Sequence, residues 1–259
     1  MTGSAFDASG NFLVTNFGAN TVRKYDSNGT SPGSPFGGGY STPESIVFDK
    51  LANAYVGSIG GGIRKFDSAG TFLSAFSAPR VDWMDLAADQ TTMLFTQEGG
   101  EVKRWDLATN TALSDFSTDV ENAFALRILG NGNVLVANGS DIELLDSSGI
   151  QIKTYDNSLA GTWFALNIDD SGTSFWSADT GGFVAEFDIA TGALLNQWNS
   201  SGHNGTWGLA INGEVTQGGG GGGNGTSSVP GPLPIFGTAA AFGFSRKLRK
   251  RIKLVSSKA

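Results

Sequence analysis

A unit of about forty residues recurs five times along the first 215 positions, and this period constrains the fold more than any other feature. Each copy opens with a short apolar run ending in a turn: SAFDASGN, SIVFDKLAN, DLAADQTT, LRILGNGN and LNIDDSGT. A second apolar run follows: FLVTN (12–16), AYVGS (54–58), MLFTQ (93–97), VLVAN (134–138) and SFWSA (174–178). The third ends on a charged hairpin: VRKYDSNG, IRKFDSAG, VKRWDLATN, IELLDSSG and VAEFDIATG. The fourth closes near an aromatic residue: Phe36, Phe76, Phe116, Tyr155 and Trp198. The hairpin aspartates Asp26, Asp67, Asp106, Asp146 and Asp188 are 41, 39, 40 and 42 residues apart.

Alternation over four to six residues marks half-buried strands, and Asp followed three or four positions later by Gly or Asn marks tight turns between them. Four antiparallel strands cannot bury both faces alone, so successive copies must stack around an axis. The expected fold is therefore all-β, a β-propeller of four-stranded blades. Small residues precede the first strands (Gly3, Ser45, Ala125, Ala165 and Gly208), as crowding around a channel requires; Asp85 interrupts that column. WGLAINGEV (207–215) reads as the inner strand of a sixth copy. Two readings stay open: the strand closes a five-bladed ring near the N-terminus, or the ring is a truncated six-bladed one. The second is favoured, with an export signal lost ahead of Met1.

Composition bears on partners. Seven of the 17 Lys and Arg fall in residues 246–259, so the body carries ten basic and 24 acidic residues. Such a body has no cationic face for phosphates, and nucleic acid is excluded as a partner. There is no Cys, which removes disulfides and thiolate metal sites.

The texture AFDASGNFLVTN followed by TVRKYDSNG resembles the NHL/YVTN group of propellers. That resemblance implies the fold and leaves function open, because the architecture hosts enzymes, binders and scaffolds alike. A propeller body over 1–216 is followed by a Gly-rich linker over 217–228, QGGGGGGNGTSS, and by a tail over 229–259. The tail joins Val229, Pro230, Gly231 and Pro232 to an apolar stretch (233–244) and a basic cluster of Arg246, Lys247, Arg249, Lys250, Arg251 and Lys253. Twelve residues are short for a spanning helix, and the stems of the basic residues lengthen it as a membrane stop. Proline motif, apolar helix and basic cluster together resemble the PEP-CTERM sorting domain of exported bacterial proteins, in a variant associated with cyanobacteria where Gly replaces the usual Glu. The resemblance implies transient anchoring at the inner membrane, recognition of Val229–Pro232 by an exosortase-type processing enzyme, and release to the cell surface or exterior. A basic tail lying on anionic lipid is the competing reading.

Catalytic signals in the body are sparse. The single histidine, His203, sits in a Gly/Asn-rich loop and reads as solvated. Glu44, Asp82, Asp85 and Glu121 precede or enter inner strands of three successive copies. Carboxylates converging there would suit Ca²⁺, and this is the only cofactor the sequence suggests. Trp83, Trp163 and Trp207 recur near the same strand starts, as packing residues or as the edge of a sugar-stacking groove. The expectation is a non-enzymatic binding or structural propeller of the cell envelope or extracellular matrix, with a polysaccharide or surface protein as partner. The alternative is a metal-dependent lactonase or lyase using the acidic channel mouth.

Overall fold

The hairpin aspartates act as turn caps. Asp26 Oδ1 accepts backbone N–H groups from Asn28 and Thr30 at 2.9 and 2.8 Å, and Asp67 and Asp146 repeat the pattern two and four residues on. Gly29, Gly70 and Gly149 close these turns at φ between 83° and 89°, and Asn110 takes the left-handed position where the copy ending ATN has no glycine. The computed structural model describes residues 3–31, 33–156, 161–200 and 206–219. These lie in one compact unit of residues 1–225, while the proline motif, apolar stretch and basic cluster expected in the tail lie outside the described residues. Among the described residues no helix is long and apolar enough to cross a membrane.

Among the described residues the caps connect nineteen strands in five antiparallel blades, the fold expected from the period. Blade 1 holds β1 (Ser4–Phe6), β2 (Phe12–Asn16) and β3 (Thr21–Tyr25), and its fourth place is filled by a single bridge from Val22 to Phe36. Blade 2 holds β4 (Pro43–Phe48), β5 (Ala54–Ser58), β6 (Ile63–Phe66) and β7 (Phe72–Phe76). Blade 3 holds β8 (Met84–Leu86), β9 (Thr92–Phe95), β10 (Lys103–Asp106) and β11 (Thr111–Ala112). Blade 4 holds β12 (Leu126–Ile128), β13 (Val134–Ala137), β14 (Ile142–Leu145) and β15 (Gln151–Tyr155). Blade 5 holds β16 (Trp163–Ile168), β17 (Ser174–Asp179), β18 (Phe183–Asp188) and β19 (Leu194–Asn199).

The core is divided among blade junctions. Leu13, Val22, Ile46, Val56 and Phe66 fill the space between blades 1 and 2. Met84, Phe95, Tyr55 and Ile63 fill the next, Leu94, Val102, Leu126 and Val136 the third, and Leu144, Leu166, Phe175 and Phe187 the fourth. The inner strands approach so closely that a Cβ on Gly3 would lie 2.1 Å from the Glu44 carbonyl oxygen.

Register corrects one reading of the small-residue column. Ser4, Ile46, Met84, Leu126 and Leu166 occupy equivalent rungs, so the residues before them are Gly3, Ser45, Trp83, Ala125 and Ala165. Trp83, not Asp85, is the exception. Its indole is accommodated because it leaves the axis and packs edge-on against Phe164, ring centres 5.8 Å apart.

Residues 206–219 run beside blades 5 and 1. Leu209 and Val215 pack on the blade 5 core, and Ser4 Oγ donates to the Leu209 carbonyl at 3.2 Å. The segment turns at Asn212–Gly213 and joins no strand ladder among the described residues. It then crosses one end of the channel. Glu214 reaches Arg127, the Gln217 carbonyl accepts from Gln90 Nε2, and Gly218 lies against the Phe48 carbonyl and Leu86. The described part of the expected linker, 217–219, is thus packed on the ring.

Candidate functional site

At the opposite end, where inner strands begin, polar groups are buried without partners. Glu44, at the head of β4, is 3% exposed, and its Oε2 has no hydrogen-bond partner in the protein. Burial pushes its carboxyl up to about 8, and the charges of Asp82 and Glu98 add to the shift against the pull of Arg80. Ser45 Oγ and Trp83 Nε1 are likewise buried and unpaired. Asp82 is fully buried and is held by Arg80, whose Nε donates to both carboxylate oxygens at 2.8 and 2.9 Å. Arg80 Nη2 reaches on to Glu98 at 2.6 Å. Burial outweighs the Arg80 contact and holds the Asp82 carboxyl above its usual range.

Beside these groups lies an aromatic array from three blades and the orphan segment. Phe164 packs against Trp83, Phe124 and Trp207, with ring centres 5.1 to 5.8 Å apart. Trp83 and Trp163 are core residues, whereas Trp207 is 45% exposed at the mouth. Buried donors and acceptors without protein partners are rare in folded proteins. Here a carboxyl, a hydroxyl and an indole N–H on neighbouring strands, next to an open aromatic face, suit a polar ligand with a stackable ring.

The four acidic residues singled out in the sequence fall in three places. Glu44 and Asp82 come together at the mouth. Asp85 is buried within β8, where its oxygens accept the N–H groups of Leu86 at 2.9 Å and Ile128 at 2.8 Å. Glu121 is exposed in the loop before β12 and contributes to a separate acidic field with Asp119, Asp141 and Glu143. Burial, joined by the charges of Asp141 and Asp119, lifts the Glu143 carboxyl to about 7. Among the described residues no group of three or more His, Cys, Asp or Glu is disposed to hold a metal ion. His203 lies outside the described residues.

Sequence reasoning missed a polar network at the crossed end of the channel. Asp85, Arg127 and Asn167 occupy the rung that holds Ala5 and Val47 in blades 1 and 2. Glu214 ties two of the three together: it accepts from Arg127 Nε at 2.7 Å, from Asn167 Nδ2 at 2.7 Å and from the Ile168 N–H at 3.1 Å. Arg127 and Glu214 side chains are each 4% exposed. Burial holds Asp85 at about 6 despite the opposing field of Arg127. A signal existed, since three successive copies place a polar residue where the apolar alternation calls for a small or aliphatic one.

Neither the family models nor the curated proteins compared with this chain match it.

Proposed function

We propose that this protein is a non-enzymatic binding or structural propeller of the cell envelope or extracellular matrix, delivered by its C-terminal tail as an exosortase-type substrate. The observation that carries the binding reading is the channel mouth. There Glu44 Oε2, Ser45 Oγ and Trp83 Nε1 are buried without partners near the exposed ring of Trp207. One channel end is crossed by Glu214 and Gly218, so a ligand is received at the other. A saccharide supplies hydroxyls for the unpaired groups and an apolar ring face for the tryptophan. The delivery reading is supported by the order of Val229–Pro232, apolar stretch and basic cluster, which resembles a PEP-CTERM signal, and the body's texture resembles NHL/YVTN propellers.

Two experiments test these halves separately. Mass spectrometry of the mature protein from its own host should find a C-terminus near Val229–Pro232; a mature chain still ending in Ala259 would refute sorting. Affinity electrophoresis through gels containing the host's exopolysaccharide should retard the protein, and Trp207→Ala should lose that retardation. Equal mobility with and without polysaccharide would refute the saccharide reading.

A further inference from the structure

Among the described residues four blade junctions are filled by apolar side chains, and the fifth is an open slot. Among the described residues no ladder and no apolar cluster joins blade 5 directly to blade 1. On the blade 1 side the slot is walled by Phe6, Phe12, Val14 and Tyr25. One rung across three strands brings the three rings into contact, Phe6 to Phe12 at 5.2 Å and Phe12 to Tyr25 at 6.3 Å. They front a cavity of about 450 Å³ that Asn212 borders from the orphan segment. In blade 2 the same four positions hold Phe48, Ala54, Val56 and Phe66, each at most 4% exposed and packed on blade 1. In blade 4 they hold Ile128, Val134, Val136 and Leu145, buried against blade 3. These positions are core wherever a preceding blade is present.

The other wall repeats the argument. Trp176 and Glu186 of blade 5 share the rung positions of Leu135 and Leu144, which are buried in the junction of blades 4 and 5. Trp176 and Trp198 stack at 4.9 Å, and Trp198 is half exposed. Among the described residues only the inner place between the walls is filled, by residues 206–211. An unpaired strand position between two apolar sheet faces is a seat for added strands.

The direction of the chain points to the source. In each complete blade the outermost strand runs on into the inner strand of the next, as β7 does into β8 and β15 into β16. The outermost strand of a sixth blade would therefore run into β1. Residues after Ile211 turn away and cross the channel to Arg127, Gln90 and Phe48, leaving the slot behind. We infer that the slot seats three antiparallel strands of a sixth blade, formed by polypeptide that leads into β1 and pairs onto residues 207–211. Its faces are apolar, toward Phe6, Phe12 and Tyr25 on one side and toward Trp176 and Trp198 on the other, where Glu186 is already satisfied by Ser174 Oγ and Asn196 Nδ2. This inference is independent of the proposed ligand and of the proposed delivery.

The test uses the protein's own repeat as the probe. Residues 53–82, the outer three strands of blade 2 with their connection, are placed directly ahead of Gly3 in the full chain; the control carries the same thirty residues in scrambled order. The native-order fusion should melt about 5 °C or more above the scrambled one, the rise expected for a junction newly buried in a domain of this size. Trp198 should also leave the acrylamide-quenchable population, as read by comparison with Trp198→Phe. Should the fusion not fold, the same thirty residues added as a peptide to the full chain should protect Trp198. Failure of protection in both formats overturns the inference. So does sedimentation of the unextended chain as a dimer with Trp198 already shielded, which would assign the slot to a second copy.

Discussion

Removing the Glu214 carboxylate isolates the energetics of the buried network. In Glu214→Ala the Arg127 guanidinium, 4% exposed, loses its ion pair, and Asn167 Nδ2 and the Ile168 N–H lose their acceptor. Deleting one member of a buried ion pair costs about 3–5 kcal/mol because the other charge is left uncompensated. Asp85 stands in the same field, and without Glu214 its carboxyl settles below about 6 and neutralises part of the arginine. The cost therefore falls at the lower end, about 3 kcal/mol, which corresponds to a fall in melting temperature of about 6–12 °C for a domain of this size. Urea unfolding followed by circular dichroism measures the free energy, and an unchanged slope shows that the surface exposed on unfolding is unaltered. Arg127→Met combined with Glu214→Leu removes both charges and should recover most of the loss at pH 5, where Asp85 is protonated. A Glu214→Ala chain within about 1 kcal/mol of the parent would refute a compensated buried pair, as would a double variant worse than the sum of the singles.

Three further outcomes follow from local geometry. Gly29→Ala and Gly149→Ala both place a side chain at φ 83°, but a Cβ on Gly29 meets nothing within 4 Å and one on Gly149 would lie 1.8 Å from the Phe116 carbonyl oxygen. Chemical denaturation should show a loss of about 1–2 kcal/mol for the first and about 1–3 kcal/mol more for the second; equal losses would contradict the close approach. Glu44 keeps its proton to about pH 8 when folded, against 4.5 for a free carboxyl, so unfolding between these values releases a proton and stability falls as pH rises through that window. Asp85 and Glu143 act with the same sign up to about 6 and 7. Melting temperatures should be lower at pH 8.5 than at pH 5.5, and Glu44→Gln should reduce the difference; an unaltered difference would remove the group from consideration. Millimolar Ca²⁺ should leave the melting temperature unchanged, since Glu44, Asp82, Asp85 and Glu121 are not gathered at one point; a rise of several degrees would revive the metal-dependent lactonase or lyase reading.

What was legible in the sequence is what depends on neighbours along the chain. Asp26, Asp67, Asp106, Asp146 and Asp188 each cap a turn through N–H groups two to four residues away, so spacing alone identified the hairpins and their period. The mouth was half legible. Glu44 and Asp82 could be placed by their position before inner strands, but their unequal surroundings depend on Arg80 turning back onto Asp82 and leaving Glu44 Oε2 unpaired. The Arg127–Glu214 pair spans 87 residues and joins a repeat rung to a segment outside the repeat, so no local pattern connects them. The blade 3 place in the small-residue column was read two positions late, at Asp85 and not Trp83, because the column is defined by register, with the Thr96 N–H donating to the Trp83 carbonyl, and not by residue size.

The polar row of Asp85, Arg127 and Asn167 also bears on how five similar blades find their order. Repeats whose strands, turns and caps are interchangeable can associate out of sequence, since most apolar junctions tolerate one another's partners. Three adjacent blades here carry different polar groups on one rung: Asp85 accepts the Ile128 N–H of the next blade, and Glu214 joins Arg127 to Asn167, contacts made when the blades stand side by side in chain order. A ring that parts blade 4 from blade 5 buries the Arg127 guanidinium or the Asn167 amide without the carboxylate they share. The energy gap between the ordered ring and its shuffled isomers thus comes from a handful of charges, while the hydrophobic junctions supply cohesion with little preference for sequence.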